Sequence, residues 1–244
     1  MKGGAVLKRP FSLSPRLRAA AELVPAGAKL LDVGTDHGRL PVWLIQHGIV
    51  PQALATDLRP GPLSRAKELA ARWGIGPELS FRLCDGLTAV NPQEASVITI
   101  CGMGGETIAD ILQAGAWAKE PGHLYILQPM TGMDGLRQYL SKNGFAIRRE
   151  VLVEEGRTLY VILVAEPGDM PPLTSGEIWV GRQSPDIHSP LRSRYLDQEL
   201  QKLRWAIEGL THSQRPEDME KLEQFNAAAR EVAQMQKEWE QWQQ

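Results

Sequence analysis

The sequence contains only two cysteines, Cys84 and Cys101, among its 244 residues. Two thiols cannot form the disulfide framework of a small secreted domain, and they cannot supply a four-cysteine zinc site. We therefore expect a protein of the reducing cytoplasm that binds no metal.

Neither charge is in excess, and long apolar runs are missing. The 27 Lys and Arg residues stand against 29 Asp and Glu residues, a formal charge of −2, so nucleic acid or an anionic membrane could bind only through a local basic patch. No apolar run reaches the ~18 residues that a transmembrane helix requires, and residues 1–10 lack the apolar segment of a signal peptide. We expect no membrane association.

The elements of the chain alternate regularly within an ordinary globular composition. Hydrophobic residues make up 43% of the chain and charged residues 23%, which is typical of a protein that buries a substantial core. From residue 28 to 166, short apolar runs alternate with helix-like stretches, the pattern of βα units around a mostly parallel sheet. The predicted strands are residues 29–33, 53–57, 79–83, 96–101 and 124–128, with helices at 65–73, 106–117 and 133–141.

The pattern then changes twice. Residues 145–153 and 158–165 are β-rich and are joined by four residues, which predicts an antiparallel hairpin at the end of the sheet. A segment rich in Pro and Gly follows at 167–176. It predicts a domain boundary, with an α/β domain at 1–168 and a helical domain at 169–244.

Two helices with a coiled-coil pattern are predicted in the second domain. Apolar residues recur at steps of four and three between residues 190 and 212, and with nearly the same rhythm between 219 and 242. This spacing predicts an antiparallel helical hairpin that serves packing or oligomerisation. One face is predicted to be locally positive, from Arg192, Arg194, Lys202, Arg204 and Arg215. The sequence does not fix the oligomeric state, and we expect a monomer.

A ligand-binding turn is predicted where the first strand ends. Residues 30–38, LLDVGTDHG, run from an apolar strand through a glycine-containing turn into a helix, and open α/β sheets bind ligands at the carboxyl ends of their strands. The turn lacks the dinucleotide fingerprint Gly-x-Gly-x-x-Gly, because Asp36 replaces the second glycine and would repel a diphosphate. Asp32 and Asp36 instead suit a cationic ligand such as S-adenosylmethionine. The alternative is a plain tight turn.

Two further acidic residues follow the next two strands. Asp57 ends the second strand, 23 residues after Gly34, where it could accept hydrogen bonds from ribose hydroxyls or only cap a helix. Asp85 and Gly86 follow the third strand. Asp85 could lie near an adenine amino group there, or the pair could form only an Asp-Gly turn.

A glycine-rich segment, GMGG at 102–105, follows the fourth strand. Glycine costs conformational entropy, so such a turn indicates that a ligand passes close to the backbone. The fourth strand lies beside the first in a doubly wound sheet, so the turn is predicted to face the same crevice, with Gln128 as a polar wall. Cys101 is interpreted as a small buried hydrophobic residue rather than a nucleophile. His37 either accepts a proton or orients its turn.

Together these blocks resemble a class I S-adenosylmethionine-dependent methyltransferase, and more narrowly the bacterial tRNA (adenine-22-N1)-methyltransferase family. The matching blocks, in order, are SLSPRL at 12–17, DVGTDHGRLP at 32–41, Asp57 with GPL at 61–63, DGL at 85–87, GMGG at 102–105 and LQP at 127–129. The sequence departs from the family at Gly38 and Arg39, where relatives often have Ala and an aromatic residue, and at residues 180–182.

The resemblance implies an α/β fold: a Rossmann-like domain with a seven-stranded, mostly parallel sheet and a terminal antiparallel hairpin, followed by a helical coiled coil. It implies S-adenosyl-L-methionine as cofactor, tRNA as partner, and methyl transfer to N1 of an adenine at position 22, in the D-arm region. The cofactor-binding residues predicted on this basis are Asp32, Gly34, Thr35, Asp36, Gly38, Asp57, Leu58, Asp85, Gly86, Cys101, Gly102, Met103 and Gly104.

Asp36 and His37 are the predicted catalytic residues. Adenine N1 has an available lone pair, so positioning can do most of the work, and a carboxylate near N6 helps that group to lose its proton. We expect Asp36 to take this role before His37. The Asn-Pro-Pro-Tyr tetrad of N6 methyltransferases is absent after the fourth strand, which argues against N6 as the target.

The predicted RNA-binding residues are Lys8, Arg9, Arg16 and Arg18. They would grip phosphate groups, unless they form only a solvated N-terminal arm. Two other functions stay open at this point. One is methyl transfer to a protein or a small molecule, and the other is a non-catalytic scaffold that binds S-adenosylmethionine.

Overall fold

The computed structural model describes residues 11–187, 189–213 and 215–243. Its centre is a seven-stranded sheet in the order β3-β2-β1-β4-β5-β7-β6. The strands are β1 (Lys29–Val33), β2 (Gln52–Asp57), β3 (Leu79–Leu83), β4 (Val97–Gly104), β5 (Leu124–Thr131), β6 (Phe145–Glu155) and β7 (Thr158–Pro167). Strands β1 to β5 are parallel, whereas β7 is antiparallel to β5 and β6. The predicted Rossmann-like sheet with a terminal hairpin is confirmed.

Helices cover both faces of the sheet. They are α1 (Pro15–Glu22), α2 (Arg39–Gln46), α3 (Pro60–Arg72), α4 (Gly105–Ala114), α5 (Met133–Lys142), α6 (Ser175–Val180), α7 (Arg192–Leu210) and α8 (Pro216–Trp242). Leu31 and Val33 share one apolar core with α4 and α5, whereas Leu30 shares another with α1, α2 and α3. Successive strand side chains point to opposite faces, so β1 carries the apolar run Leu30–Leu31 and Val33 because both of its faces are covered. Within the described ranges, no helix is long and apolar enough to cross a membrane.

The main correction to the predicted elements is at the glycine-rich segment. Residues 102–104 continue β4 as strand, with two register shifts against β5 that mark bulges, instead of forming a turn directly after residue 101. Helix α3 begins at Pro60, five residues before the predicted start, and α4 ends three residues early, at Ala114. Helices α1 and α6 are additional to the predicted elements.

The C-terminal helices form the predicted antiparallel pair. Gln236, near the end of α8, hydrogen-bonds Asp197, near the start of α7. Leu196, Leu200 and Leu203 are buried in an apolar core that also includes residues of α8. Since the same core reaches α5 and the sheet, the domain boundary at 168/169 stays a prediction.

Arg137 of α5 is fully buried and joins the sheet to the C-terminal helices. Its guanidinium donates to both carboxylate oxygens of Glu150 on β6, at 2.7 and 3.0 Å. It also donates to the carbonyl oxygens of Ile178 and Trp179 in α6 and to the hydroxyl of Tyr195 in α7. A buried charge needs such pairing, so this network fixes four elements relative to one another.

Replacing Glu150 with Ala should lower the free energy of unfolding by about 3 kcal/mol, because the buried Arg137 charge loses its carboxylate. Urea denaturation measures the change. The matched control is Glu166→Ala, which breaks an exposed ion pair with Arg148 and should cost less than about 1 kcal/mol. Equal losses in the two variants would contradict the role given to the network.

Candidate active site

A cavity of about 800 Å³ opens at the carboxyl ends of β1, β2 and β4. Eleven of the thirteen predicted cofactor-binding residues line it, the exceptions being Gly38 and Gly104. The cavity lies where the strand order reverses between β1 and β4, the place where open α/β sheets bind ligands. In the part of the chain that the structure describes, no cluster of three or more His, Cys, Asp or Glu side chains is placed to hold a metal ion.

Asp32 forms a buried acidic wall of the cavity. Its carboxylate oxygens accept hydrogen bonds from the hydroxyls of Thr35 at 2.6 Å and Thr99 at 2.7 Å. Burial raises the pKa of Asp32 to about 6, against the opposing effect of the two hydroxyls. The carboxylate is therefore mostly ionised at pH 7, and a cation placed beside it would stabilise that charge.

The turn after β1 holds Asp36 in a backbone conformation that few residues adopt. Its φ is +50°, in the left-handed region that Asn and Asp tolerate better than most residues. The carboxylate accepts a hydrogen bond from Arg65 at 3.1 Å and lies 3.5 Å from Nε2 of His37. The two predicted catalytic side chains are thus neighbours at the cavity, and both are more than half exposed.

Asp57 connects β2 to the same turn. One carboxylate oxygen accepts the backbone N–H of Asp36 at 3.3 Å, and the other accepts that of Arg59 at 3.0 Å. Arg59 occupies the N-cap position of α3 and its side chain makes no capping hydrogen bond, so Asp57 does not stand at the cap position that the sequence left open. Each carboxylate oxygen has a second lone pair for a ligand hydroxyl. Beside it, Leu58 lines the cavity with 64% of its surface exposed.

Gly38 and Gly104 are the two predicted cofactor-binding residues that do not line the cavity. Gly38 has a φ of +65°, and a Cβ there would lie 2.9 Å from Cβ of Ala66, so glycine lets α2 pack against α3. Gly104 ends β4 and caps α4, and a Cβ there would lie 3.5 Å from the hydroxyl of Thr131. Gly38 therefore has a packing role, and the cofactor contacts predicted for both glycines stay predictions.

The loop after β3 and the end of β4 close the cavity. Asp85 and Gly86 line it from the loop, and Gly102 and Met103 from the bulged strand. Burial raises the pKa of the Cys101 thiol, which keeps the thiol protonated and unfit as a nucleophile at neutral pH.

Arg16 is part of the cavity wall. Its guanidinium donates to the buried side-chain oxygen of Gln128 at 2.8 Å and lies 3.6 Å from the carboxylate of Glu155. Its guanidinium carbon stands 5.9 Å from the ring centroid of Tyr160. Gly102, beside Arg16, has a φ of +83°, in the left-handed region that favours glycine.

Of the other three predicted RNA-binding residues, one lies on the surface and two lie outside the described residues. Arg18 is exposed, pairs with Glu22 at 2.8 Å and stacks over Trp43 at 4.7 Å. Lys8 and Arg9 lie outside the described residues. Their contact with RNA, like that of Arg16 and Arg18, stays a prediction.

Sequence reasoning missed the wall that α4 contributes. Thr107, Asp110 and Ile111 line the cavity from successive turns of this helix. The signal was available, because a helix that directly follows a ligand-binding strand end presents its first turns to the ligand.

Comparison with known proteins decides the family. A family model described as "Methyltransferase domain" matches residues 13–163. Over 159 residues the chain is 39% identical to the tRNA (adenine(22)-N(1))-methyltransferase of Bacillus subtilis (strain 168), a match that covers 65% of this chain and 67% of the relative. This chain belongs to the tRNA (adenine(22)-N(1))-methyltransferase family. The resemblance seen in the sequence blocks is confirmed.

Solved structures of the same family agree over nearly the whole chain. The crystal structure of the Bacillus subtilis m1A22 tRNA methyltransferase TrmK superposes with a TM-score of 0.82 at 31% identity, covering 93% of this chain and 100% of that one. Streptococcus pneumoniae Sp1610 in complex with S-adenosyl-L-methionine gives 0.73 at 34% identity, covering 88% and 98%. M. capricolum TrmK in complex with S-adenosyl-homocysteine gives 0.74 at 25% identity, covering 91% and 98%. The structural similarity to these methyltransferases therefore extends over the C-terminal helices as well as the sheet domain.

Proposed function

We propose that this protein transfers a methyl group from S-adenosyl-L-methionine to N1 of adenine 22 in tRNA. One observation carries the proposal: five of the six sequence blocks contribute residues to a single cavity at the β1–β4 switch point. The Bacillus subtilis relative is named for this reaction, and relatives of similar fold have been solved with the cofactor or its product.

The residues that line the cavity fit S-adenosylmethionine. Asp32 and Asp36 would face its ammonium and sulfonium charges, and Asp57 would accept hydrogen bonds from its ribose hydroxyls. Asp85 would accept a hydrogen bond from the adenine amino group, with Leu58 as an apolar surface. When bound, the cofactor supplies a methyl group activated by the positive charge on sulfur.

The protein's own part in the transfer is positioning and charge relief. Adenine N1 forms the new bond with its own lone pair, so no base is needed for the attack. The transfer leaves a positive charge on the adenine, which is relieved when N6 gives up a proton. We assign the acceptance of that proton to Asp36, and His37, 3.5 Å from its carboxylate, is the second candidate.

Cofactor affinity should depend on pH through Asp32. The cationic cofactor favours the ionised carboxylate, so affinity should fall by about tenfold when the pH is lowered from 7 to 5, through a pKa of about 6. Titration calorimetry at several pH values measures this. In Asp32→Asn the affinity should be lower at pH 7 and nearly constant over this range, and an unchanged pH slope would contradict the assignment.

The kind of molecule that accepts the methyl group is tested by incubating the protein with labelled S-adenosylmethionine and a cell extract that contains RNA and protein. We expect label in the tRNA fraction that ribonuclease releases and protease does not. Label in a protein fraction would favour the alternative methyltransferase. Cofactor binding without transfer to any fraction would favour the non-catalytic scaffold.

A further inference from the structure

A second cavity, of about 310 Å³, adjoins the first on the side of the C-terminal helices. Its walls come from the end of β5, the start of α5, the β7 strand and helices α6 and α7. Its lining includes Met130, Thr131, Asp134, Tyr160, Trp179 and Lys202. Small-molecule sites start at about 300 Å³, so this cavity has room for one small organic group.

The contacts of Arg16 connect the walls of the two cavities. Arg16 lines the first cavity and stacks over Tyr160, which lines the second. Its hydrogen bond to Gln128 runs to the residue directly before Pro129, another part of the second wall. A group held in the second cavity is therefore a close neighbour of a group that enters the first from the Arg16 side.

The lining of the second cavity combines flat or soft apolar surfaces with a polar rim. Met130 is 42% exposed although it is a large apolar residue, and it lies in the same wall as Tyr160 and Trp179. Thioether and aromatic groups stack well on nucleobases. At the rim, Lys202 pairs with Glu199 at 2.7 Å and offers a cation to a phosphate group. The carboxylates of Glu199 and Asp134 can accept hydrogen bonds from the N–H groups of a base.

We propose that this cavity holds a nucleobase of the tRNA next in the chain to the target adenine. The inference rests on the proposed function, and it makes α7 part of the substrate site through Lys202. A polynucleotide that places one base at the methyl group must carry its neighbours past Arg16. The second cavity receives one of them and so fixes the register of the RNA on the enzyme.

The protein side of the proposal is tested with Met130→Ala and Lys202→Gln. We expect each to raise the KM for tRNA by about tenfold, while kcat and the Kd for S-adenosylmethionine stay within about twofold. The matched control is Met219→Ala, which removes a methionine that is 60% exposed on α8 and should leave all three constants unchanged. A KM within twofold of the wild type in both cavity variants overturns the proposal.

The RNA side is tested with transcripts that lack the base at position 21 or at position 23. In the wild type, one of these abasic transcripts should raise KM by about tenfold, and Met130→Ala should add little to that rise because the stacking partner is already gone. Full additivity of the two changes would overturn the subsite. A wild-type enzyme that is inactive on intact tRNA would overturn the proposed function itself, and the subsite with it.

Discussion

Replacing Asp36 with Asn is expected to lower kcat for tRNA methylation by about a hundredfold. The carboxylate is 61% exposed at the cavity, where it can meet the positive charge that develops on the adenine. Asn is nearly the same size and also tolerates the positive φ of this position, so the variant loses the charge and keeps the backbone. Single-turnover methylation with saturating cofactor measures the loss directly.

His37→Gln is the comparison that separates the two candidate proton acceptors. If Asp36 accepts the N6 proton, His37→Gln should lose only a few-fold in kcat, because the carboxylate remains in place. A normal kcat in Asp36→Asn together with a large loss in His37→Gln would exchange the two roles. Normal rates in both would remove the catalytic assignment.

Replacing Asp57 with Ala should raise the Kd for S-adenosylmethionine by about a hundredfold. Two hydrogen bonds from ribose hydroxyls to a carboxylate contribute about 3 kcal/mol together, which corresponds to that factor. The carboxylate also accepts hydrogen bonds from the backbone N–H groups of Asp36 and Arg59. Part of the loss in affinity therefore comes from a turn that is held less firmly. Titration calorimetry gives the constant.

Two further variants serve as controls for Asp57→Ala. Asp57→Asn keeps an acceptor oxygen for the turn and should recover part of the affinity. Glu22→Ala removes an exposed carboxylate that pairs with Arg18 on α1, and it should leave the Kd unchanged. An unchanged Kd in Asp57→Ala would contradict the placement of the ribose.

The sequence predicts the cavity well because its residues come from strand ends. A parallel sheet brings such ends to one edge whatever the loops do, so Asp32, Asp57 and Gly102 can be grouped from the strand pattern alone. The outcome at 102–104 differs because strand pairing overrides local preference. Met103 and Gly104 pair with Pro129 and Thr131 of β5, and glycine content alone cannot distinguish a bulged strand from a turn.

The position of Arg16 could not be predicted from the sequence because it depends on contacts with residues far away in the chain. A basic residue near the N-terminus suggests a phosphate contact, but the position of Arg16 depends on Gln128 and Glu155, which lie more than 100 residues away. Helix α6 does have a local signal, since Thr174 and Glu177 form a capping box that is visible as Thr-x-x-Glu. The surrounding prolines and glycines obscure it, because they favour a linker.

The most direct test of the central claim uses two unmodified tRNA transcripts that differ only in having A or G at position 22. Each is incubated with the protein and labelled S-adenosylmethionine and then digested for nucleoside mass spectrometry. Methylation at N1 of adenine 22 predicts 1-methyladenosine from the A22 transcript and none from the G22 transcript. Equal methylation of both transcripts, or label in any other nucleoside, would contradict it.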